Sequence, residues 1–248
     1  MKHFLSISAM FLFFCGSAFC QTPGATGQRR SPFSAISSTQ YSEHTELFAE
    51  FRPLLLNTPA RFTAHLTQLG EVFKPYTDAE VTLTLAIDGK TAWEQTLKQP
   101  VAPGIYRFPV KSELTGTGNV TIALKMPTYS EKFYIDKVTV YADTASALAA
   151  QRKPANEDAV SVITYIKEKS WLETFATAAV VAVKGDIMVP QNAIITDNGV
   201  SYLFVQVDPE HFRKQRVEPG KSSGDKVIIR SGVSSGDRIV TRGVDKVK

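Results

Sequence analysis

Gly232-Val233-Ser234-Ser235-Gly236 places a serine in the G-x-S-x-G frame, the spacing in which a hydrolase exposes its nucleophile on a strained turn between a strand and a helix. The residues that follow, GDRIVTRG, are strand-like and punctuated by glycine, and no histidine lies downstream of Ser234 to act as its base. Two ordinary turns account for the motif. The frames that cradle phosphates or dinucleotides, G-x-x-x-x-G-K-[ST] and G-x-G-x-x-G, do not occur. The chain is therefore expected to hold no catalytic residue and no cofactor.

Metal chemistry needs imidazole, carboxylate, thiolate or thioether groups brought together. Past residue 20 there is no cysteine, and the candidates are Met126, Met188, His44, His65 and His211. A site of His44, His65 and Glu43 or Glu46 is conceivable if the first two strands pair. His65 alternates with Thr63 and Thr67, which assigns it to the wet face of its strand, so an exposed histidine is expected and no metal site. Phe48, Phe51, Trp93, Tyr106, Phe108, Phe133 and Tyr134 could line a sugar platform, but at strand spacing they read as core.

The elements that would position these residues are almost all strands. From Tyr41 to Ala142 apolar residues recur with period two, as in Phe62, Ala64 and Leu66 against Thr63, His65 and Thr67, or Val81, Leu83 and Leu85 against Thr82 and Thr84. Asp88-Gly89 suits a two-residue hairpin. Further strands are expected at Ile105–Val110, Val120–Met126 and Phe133–Tyr141, which together indicate an immunoglobulin-like β-sandwich without a cysteine pair. Ala145 to Arg152 reads as an alanine-rich link. Pro154 and Asn156 offer a helix start, with Glu157 and Asp158 in its first turn and Lys167 and Lys169 near its end, although VSVITYI is dense in β-branched residues. The C-terminal part is β again, with strands at Tyr202–Val207, Arg216–Val217, Val227–Arg230 and Ile239–Thr241. Its echo, SSGDKVII at 222–229 and SSGDRIVT at 234–241, predicts two turn-plus-strand units in tandem.

Lys2, the apolar run from Phe4 to Phe14 and the small residues Gly16, Ser17 and Ala18 make residues 1–20 a secretory signal peptide, whose apolar core falls short of the ~20 residues a membrane-spanning helix needs. Cleavage before Gln21 removes both Cys15 and Cys20, so no disulfide is expected. A lipid anchor at Cys20 is disfavoured by the bulk of Phe19. Residues 21–40, rich in Gly, Pro, Ser and Thr, are expected to be a flexible tether. The formal charge of +4 over 248 residues, without a long run of one sign, gives no reason to invoke nucleic acid.

Three blocks carry a family resemblance. HTELFAEFRPLL with ARFTAHLTQLGEVFKPYTDAEVTLTL (44–85) resembles an extra N-terminal sandwich domain of some periplasmic adaptor subunits, or membrane fusion proteins, of resistance-nodulation-division efflux systems, especially the heavy-metal-exporter group. ITYIKEKSW (163–171) resembles the segment leading into the adaptor body. VPQNAIITDNGVSYLFVQVDPEHFRKQRVEPG and IIRSGVSSGDRIVTRG (189–243) are similar to the C-terminal membrane-proximal domain. In the family, a β-barrel, a lipoyl-like domain and a long helical hairpin lie between the last two blocks. Here residues 172–188 replace them, a stretch that even fully extended spans at most about 60 Å and cannot encode a packed domain.

The resemblance implies a shortened, noncatalytic periplasmic adaptor, docking on an inner-membrane pump and possibly working beside a full-length adaptor, peripheral to the membrane once the signal is removed. The alternative is a secreted β-sandwich module that binds a glycan or a metal ion. The expected organisation is a signal peptide (1–20), a tether (21–40), a β-sandwich (41–146), a linker with a short helix (147–182) and a C-terminal β domain (183–248). Within the linker, FATAAVVAV (175–183) is the one candidate to pair with the C-terminal strands, which would otherwise keep an open edge.

Overall fold

The computed structural model describes residues 31–70, 72–151, 162–183 and 185–247. The expected signal peptide, the first ten tether residues and the expected helix start at Pro154 lie outside the described residues. The protein is mostly β, as the period-two patterning requires.

Ten strands build the sandwich: β1 (Ile36–Tyr41), β2 (Thr45–Phe51), β3 (Leu54–Leu55), β4 (Ala60–Gln68), β5 (Lys74–Pro75), β6 (Glu80–Ile87), β7 (Lys90–Leu97), β8 (Ile105–Val110), β9 (Gly116–Lys125) and β10 (Ser130–Tyr141). One sheet runs β1-β2-β4, with β4 paired onward to β8 and β5; the other runs β3-β10-β9-β6-β7. Leu47, Ala49, Phe62, Ala64 and Leu66 of the first sheet meet Val81, Leu83, Val120 and Ile122 of the second in one core. Asp88 and Gly89, with φ of 48° and 74°, form the β6–β7 turn, both in the left-handed region that a two-residue hairpin demands.

Two expectations about the flanks need correction. Residues 36–40, assigned to the tether, belong to strand β1, which pairs with β2 along its whole length. Its polar composition hid it, because an edge strand gains its backbone hydrogen bonds without contributing a core stripe. The alanine-rich link contains helix α1 (Thr144–Ala150), whose N-cap Asp143 accepts a hydrogen bond from Ser146 N at 2.8 Å. The second helix, α2 (Lys167–Leu172), starts only at Lys167, because the preceding β-branched residues form the short strand β11 (Ile163–Thr164).

The remaining strands are β12 (Ala176–Ala179), β13 (Ala182–Val183), β14 (Asp186–Pro190), β15 (Ile195–Asp197), β16 (Val200–Asp208), β17 (His211–Ser223), β18 (Lys226–Ser231) and β19 (Arg238–Arg242). Their order is β12-β19-β16-β17-β18-β14-β13. β12 and β13 are separated by two residues only, and between them Val180 N donates to Asp237 O at 2.7 Å while its carbonyl accepts from Gly236 N at 2.9 Å. Residues 176–183 thus join both ends of the sheet and close it into a barrel. The FATAAVVAV segment pairs, and no edge is left open there. Val180, Val189, Leu203, Val205, Val227 and Ile239 fill the barrel. The two SSGD repeats are the β17–β18 turn and the turn into β19, each followed by its strand.

Candidate functional site

Period two distinguishes the faces of a strand but not what covers each face. On β2 and β4 the residues that alternate with the core, Glu46, Phe48, His65 and Thr67, are themselves buried. They lie beneath α2 and the barrel, within one compact unit. His65, expected in solvent, is 6% exposed. Its ring sits 5.5 Å from that of Phe48 and 6.2 Å from that of Trp171, which seals this face of the sandwich.

The centre of the seam is an ion pair between Lys167 Nζ and Glu46 Oε1, with side chains 1% and 0% exposed. Glu46 also accepts from Thr67 Oγ1 and from Gln206 Nε2 of β16, each at 3.4 Å. The Lys167 ammonium lies 4.8 Å from the centre of the Phe73 ring. Burial pushes the Lys167 pKa down, and the Glu46 carboxylate works against that shift. Trp171 Nε1 donates to Thr67 Oγ1 at 3.0 Å, Lys74 Nζ donates to Trp171 O at 2.8 Å, and Lys167 N donates to Glu210 Oε1 at 2.8 Å. Burial holds the Glu210 carboxyl above its ordinary range.

Beside these polar contacts runs an apolar one. Phe73, from the β4–β5 connection, packs at 5.7 Å on Phe175, which meets Tyr165 at 5.1 Å and Phe212 at 5.8 Å. Phe204 and Val240 of the barrel complete the cluster. Phe73 holds φ at 39°, a left-handed conformation costly for an aromatic residue and maintained here by complete burial. Gly104, φ 74°, lies under the Trp171 ring so closely that a β-carbon would sit 2.6 Å from Cη2.

The residues singled out in the sequence do not converge. His44 pairs with Glu131 at 3.1 Å and stacks on Tyr129, His65 is 3.6 Å from Glu50, His211 meets Asp208 at 2.9 Å, and Glu46 is taken by Lys167. β2 and β4 do pair, yet Glu43 is exposed and Glu46 faces a cation. Among the described residues no group of His, Cys, Asp and Glu could hold a metal ion. Ser234 sits in an exposed turn, its N–H donating to Asp237 Oδ2 at 2.8 Å, and a strand follows it instead of a helix. Phe48, Phe51, Tyr106, Phe108 and Phe133 are buried, Trp93 packs against the sandwich core, and Tyr134 is 56% exposed.

Lys167, Trp171 and Phe73 carry the seam; the sequence marked Lys167 only as a cation near the end of a helix and Trp171 only as the end of the ITYIKEKSW block, and it gave Phe73 no role. The burial of Lys167 against Glu46 had no signal beyond its place on α2 four residues before that tryptophan.

Tyr134 also marks a groove of about 300 Å³ between β1 and β10, lined by Ile36, Gln40, Phe51, Asp136 and Tyr141 among others. There Gln40 uses its side-chain amide as a peptide group would, accepting from Tyr134 N at 3.1 Å and donating to Tyr134 O.

With this geometry established, residues 187–248 match the family model of the CzcB C-terminal circularly permuted SH3-like domain, a domain of resistance-nodulation-division heavy-metal efflux adaptors, or membrane fusion proteins. The matched segment begins inside β14, so the closing strand 176–183 comes from outside it. No curated protein and no solved structure matches the chain. No helix of the described residues is long and apolar enough to cross a membrane.

Proposed function

We propose that this protein is a noncatalytic adaptor of an efflux system, periplasmic, shortened by loss of the central conduit domains, and docked on an inner-membrane pump through its C-terminal barrel. The match of residues 187–248 to the adaptor domain carries this conclusion. Barrel closure supports it, because 176–183 supplies strands paired both to β19 and to β14 at the two ends of the matched segment. For docking, the barrel wall offers Met188 and Ile228, opposite one another in register and partly exposed, with Val181 60% exposed one strand further on. Such a patch suits a protein interface. Photo-crosslinkers at Val181 and at Ile228, in cells making the full chain, should capture an inner-membrane transporter. Failure to recover any such complex from either position would refute the docking.

The groove beside Tyr134 favours a second function, an exported sandwich module that binds a glycan. Saturable binding on a glycan array, lost in Tyr134→Ala, would select it; calorimetry with divalent metals tests the metal-binding form of the same idea.

A further inference from the structure

Strand β10 keeps an open edge in the sandwich. It pairs with β9 on one side, and on the other only Val140 and Tyr141 are paired, with β3. Ahead of them the side chains alternate: Phe133 and Ile135 enter the core, while Lys132, Tyr134 and Asp136 stand exposed on the outer face. Tyr134 N and O both point away from β9, where the Gln40 side-chain amide holds them. That direction repeats at every second residue of an antiparallel strand, so the backbone groups of Lys132 and Asp136 face the same open side. A bulge between Asp136 and Val138, with Lys137 at φ 58°, ends the regular edge. Gln40 thus makes both hydrogen bonds that one residue of an antiparallel neighbour would exchange with Tyr134, and a single side chain blunts the edge.

We propose that the strand this edge accepts is β10 of a second copy of the chain, displacing Gln40 into water. The segment Lys132-Phe133-Tyr134-Ile135-Asp136 is its own complement when run antiparallel about Tyr134. A two-fold axis there sets the two Tyr134 residues opposite one another, exchanging both backbone hydrogen bonds, and places Lys132 of each copy opposite Asp136 of the other. Both side chains are exposed, and neither joins an ion pair among the described residues. Opposite charges directly across an antiparallel pair attract and like charges repel, so the sequence selects this register. A shift by two residues in either direction forfeits both ion pairs. Phe133 and Ile135 stay on the inner face, and the β3-β10-β9-β6-β7 sheets of the two copies become one without disturbing either core. The pairing rests on neither functional reading above.

Sedimentation of the full chain over a concentration series measures the association. A monomer–dimer equilibrium that weakens as salt rises is the expected result. Lys132→Glu and Asp136→Lys each set like charges across the axis twice and should weaken the dimer by about tenfold or more. Mixing the two variants, or making both changes in one chain, restores opposite charges at every pair and should recover the association. Gln40→Ala removes the competitor for Tyr134 and should strengthen it by about tenfold. A monomer at every concentration up to about 1 mM overturns the proposal. A dimer that both single charge variants leave unchanged, or that their combination fails to restore, also overturns it. If a charge variant does not fold, Tyr134→Cys decides. Directly opposite residues about 5.5 Å apart at their α-carbons lie within disulfide reach, so mild oxidation should join two copies through position 134, as read by peptide mapping. Thr84→Cys, on the same face of β6, should form no such link, and absence of the link in Tyr134→Cys refutes the pairing.

Discussion

Lys167 of α2 and Glu46 of β2 form an ion pair with neither side chain more than 1% exposed, placed where the sandwich meets the barrel. Two charges taken out of water together lose hydration on both sides, so the pair specifies how the bodies meet more than it adds net stability. Removing one partner is a different matter, because the other is then buried alone. Lys167→Met is expected to cost about 3–5 kcal/mol, and Lys167→Met combined with Glu46→Leu much less than the sum of the two single changes. Urea unfolding of the double-mutant cycle measures the difference, and additive effects would contradict the pairing.

Gly104 is the close-approach point beneath Trp171. Gly104→Ala combines a left-handed φ of 74° with a β-carbon 2.6 Å from the indole and 2.7 Å from Pro75 Cβ. A loss of about 2–4 kcal/mol is expected, with a red shift of the tryptophan emission as the indole is pushed toward water. A thermal scan followed by fluorescence records both, and an unchanged Tm would disprove the contact.

Trp171→Phe separates the indole's hydrogen bond from its bulk. The phenyl ring retains part of the packing on His65 but leaves Thr67 Oγ1 without its donor. A cost of about 1–3 kcal/mol follows from losing this hydrogen bond and ring area, the Thr67 hydroxyl keeping the bond it donates to Glu46. Denaturant midpoints compared with Trp171→Ala, expected to be worse, check the ranking.

Val180→Pro removes the N–H that reaches Asp237 O at 2.7 Å and so unpins the closing strand. The barrel should open along β19, exposing an edge that pairs with other chains. Concentration-dependent oligomers in size-exclusion chromatography are the expected sign, with Val181→Thr, on the outer wall, as the unaffected control.

Glu131 sets one limb of the pH dependence. Burial alone would raise its carboxyl, but the nearby polar groups of Thr45 and Ser42, together with His44 N and Nδ1 at 3.2 and 3.1 Å from Oε1, outweigh it and hold the pKa below the usual range. A carboxyl depressed in the fold contributes stability above its unfolded pKa and loses it as pH falls through the folded one. Urea midpoints measured from pH 7 to pH 3 should decline less steeply in Glu131→Gln than in the unmodified protein. Parallel curves would exclude the role.

Much of the fold was legible in single residues. Phe62, Ala64 and Leu66 pointed inward as their period requires, Asp88-Gly89 turned the hairpin, and the SSGD repeats each led into a strand. β1 escaped notice because Ser37, Ser38, Thr39 and Gln40 carry no apolar alternation, and an edge strand needs none. α1 was masked by its weak pattern, although Asp143 three residues before Ser146 is an N-cap signal.

The order of apolar and polar residues along the chain settled which side chains share a face, where it turns, and that strands dominate, since these depend on local geometry of period two and on residues that tolerate positive φ. What lies over the second face of a strand is decided by residues distant in sequence. Only the tertiary structure could bring Lys167 to Glu46 across 121 positions, turn His65 from a solvent residue into a buried one, and let 176–183 close a barrel, because burial of a polar side chain depends on the partner that arrives to satisfy it.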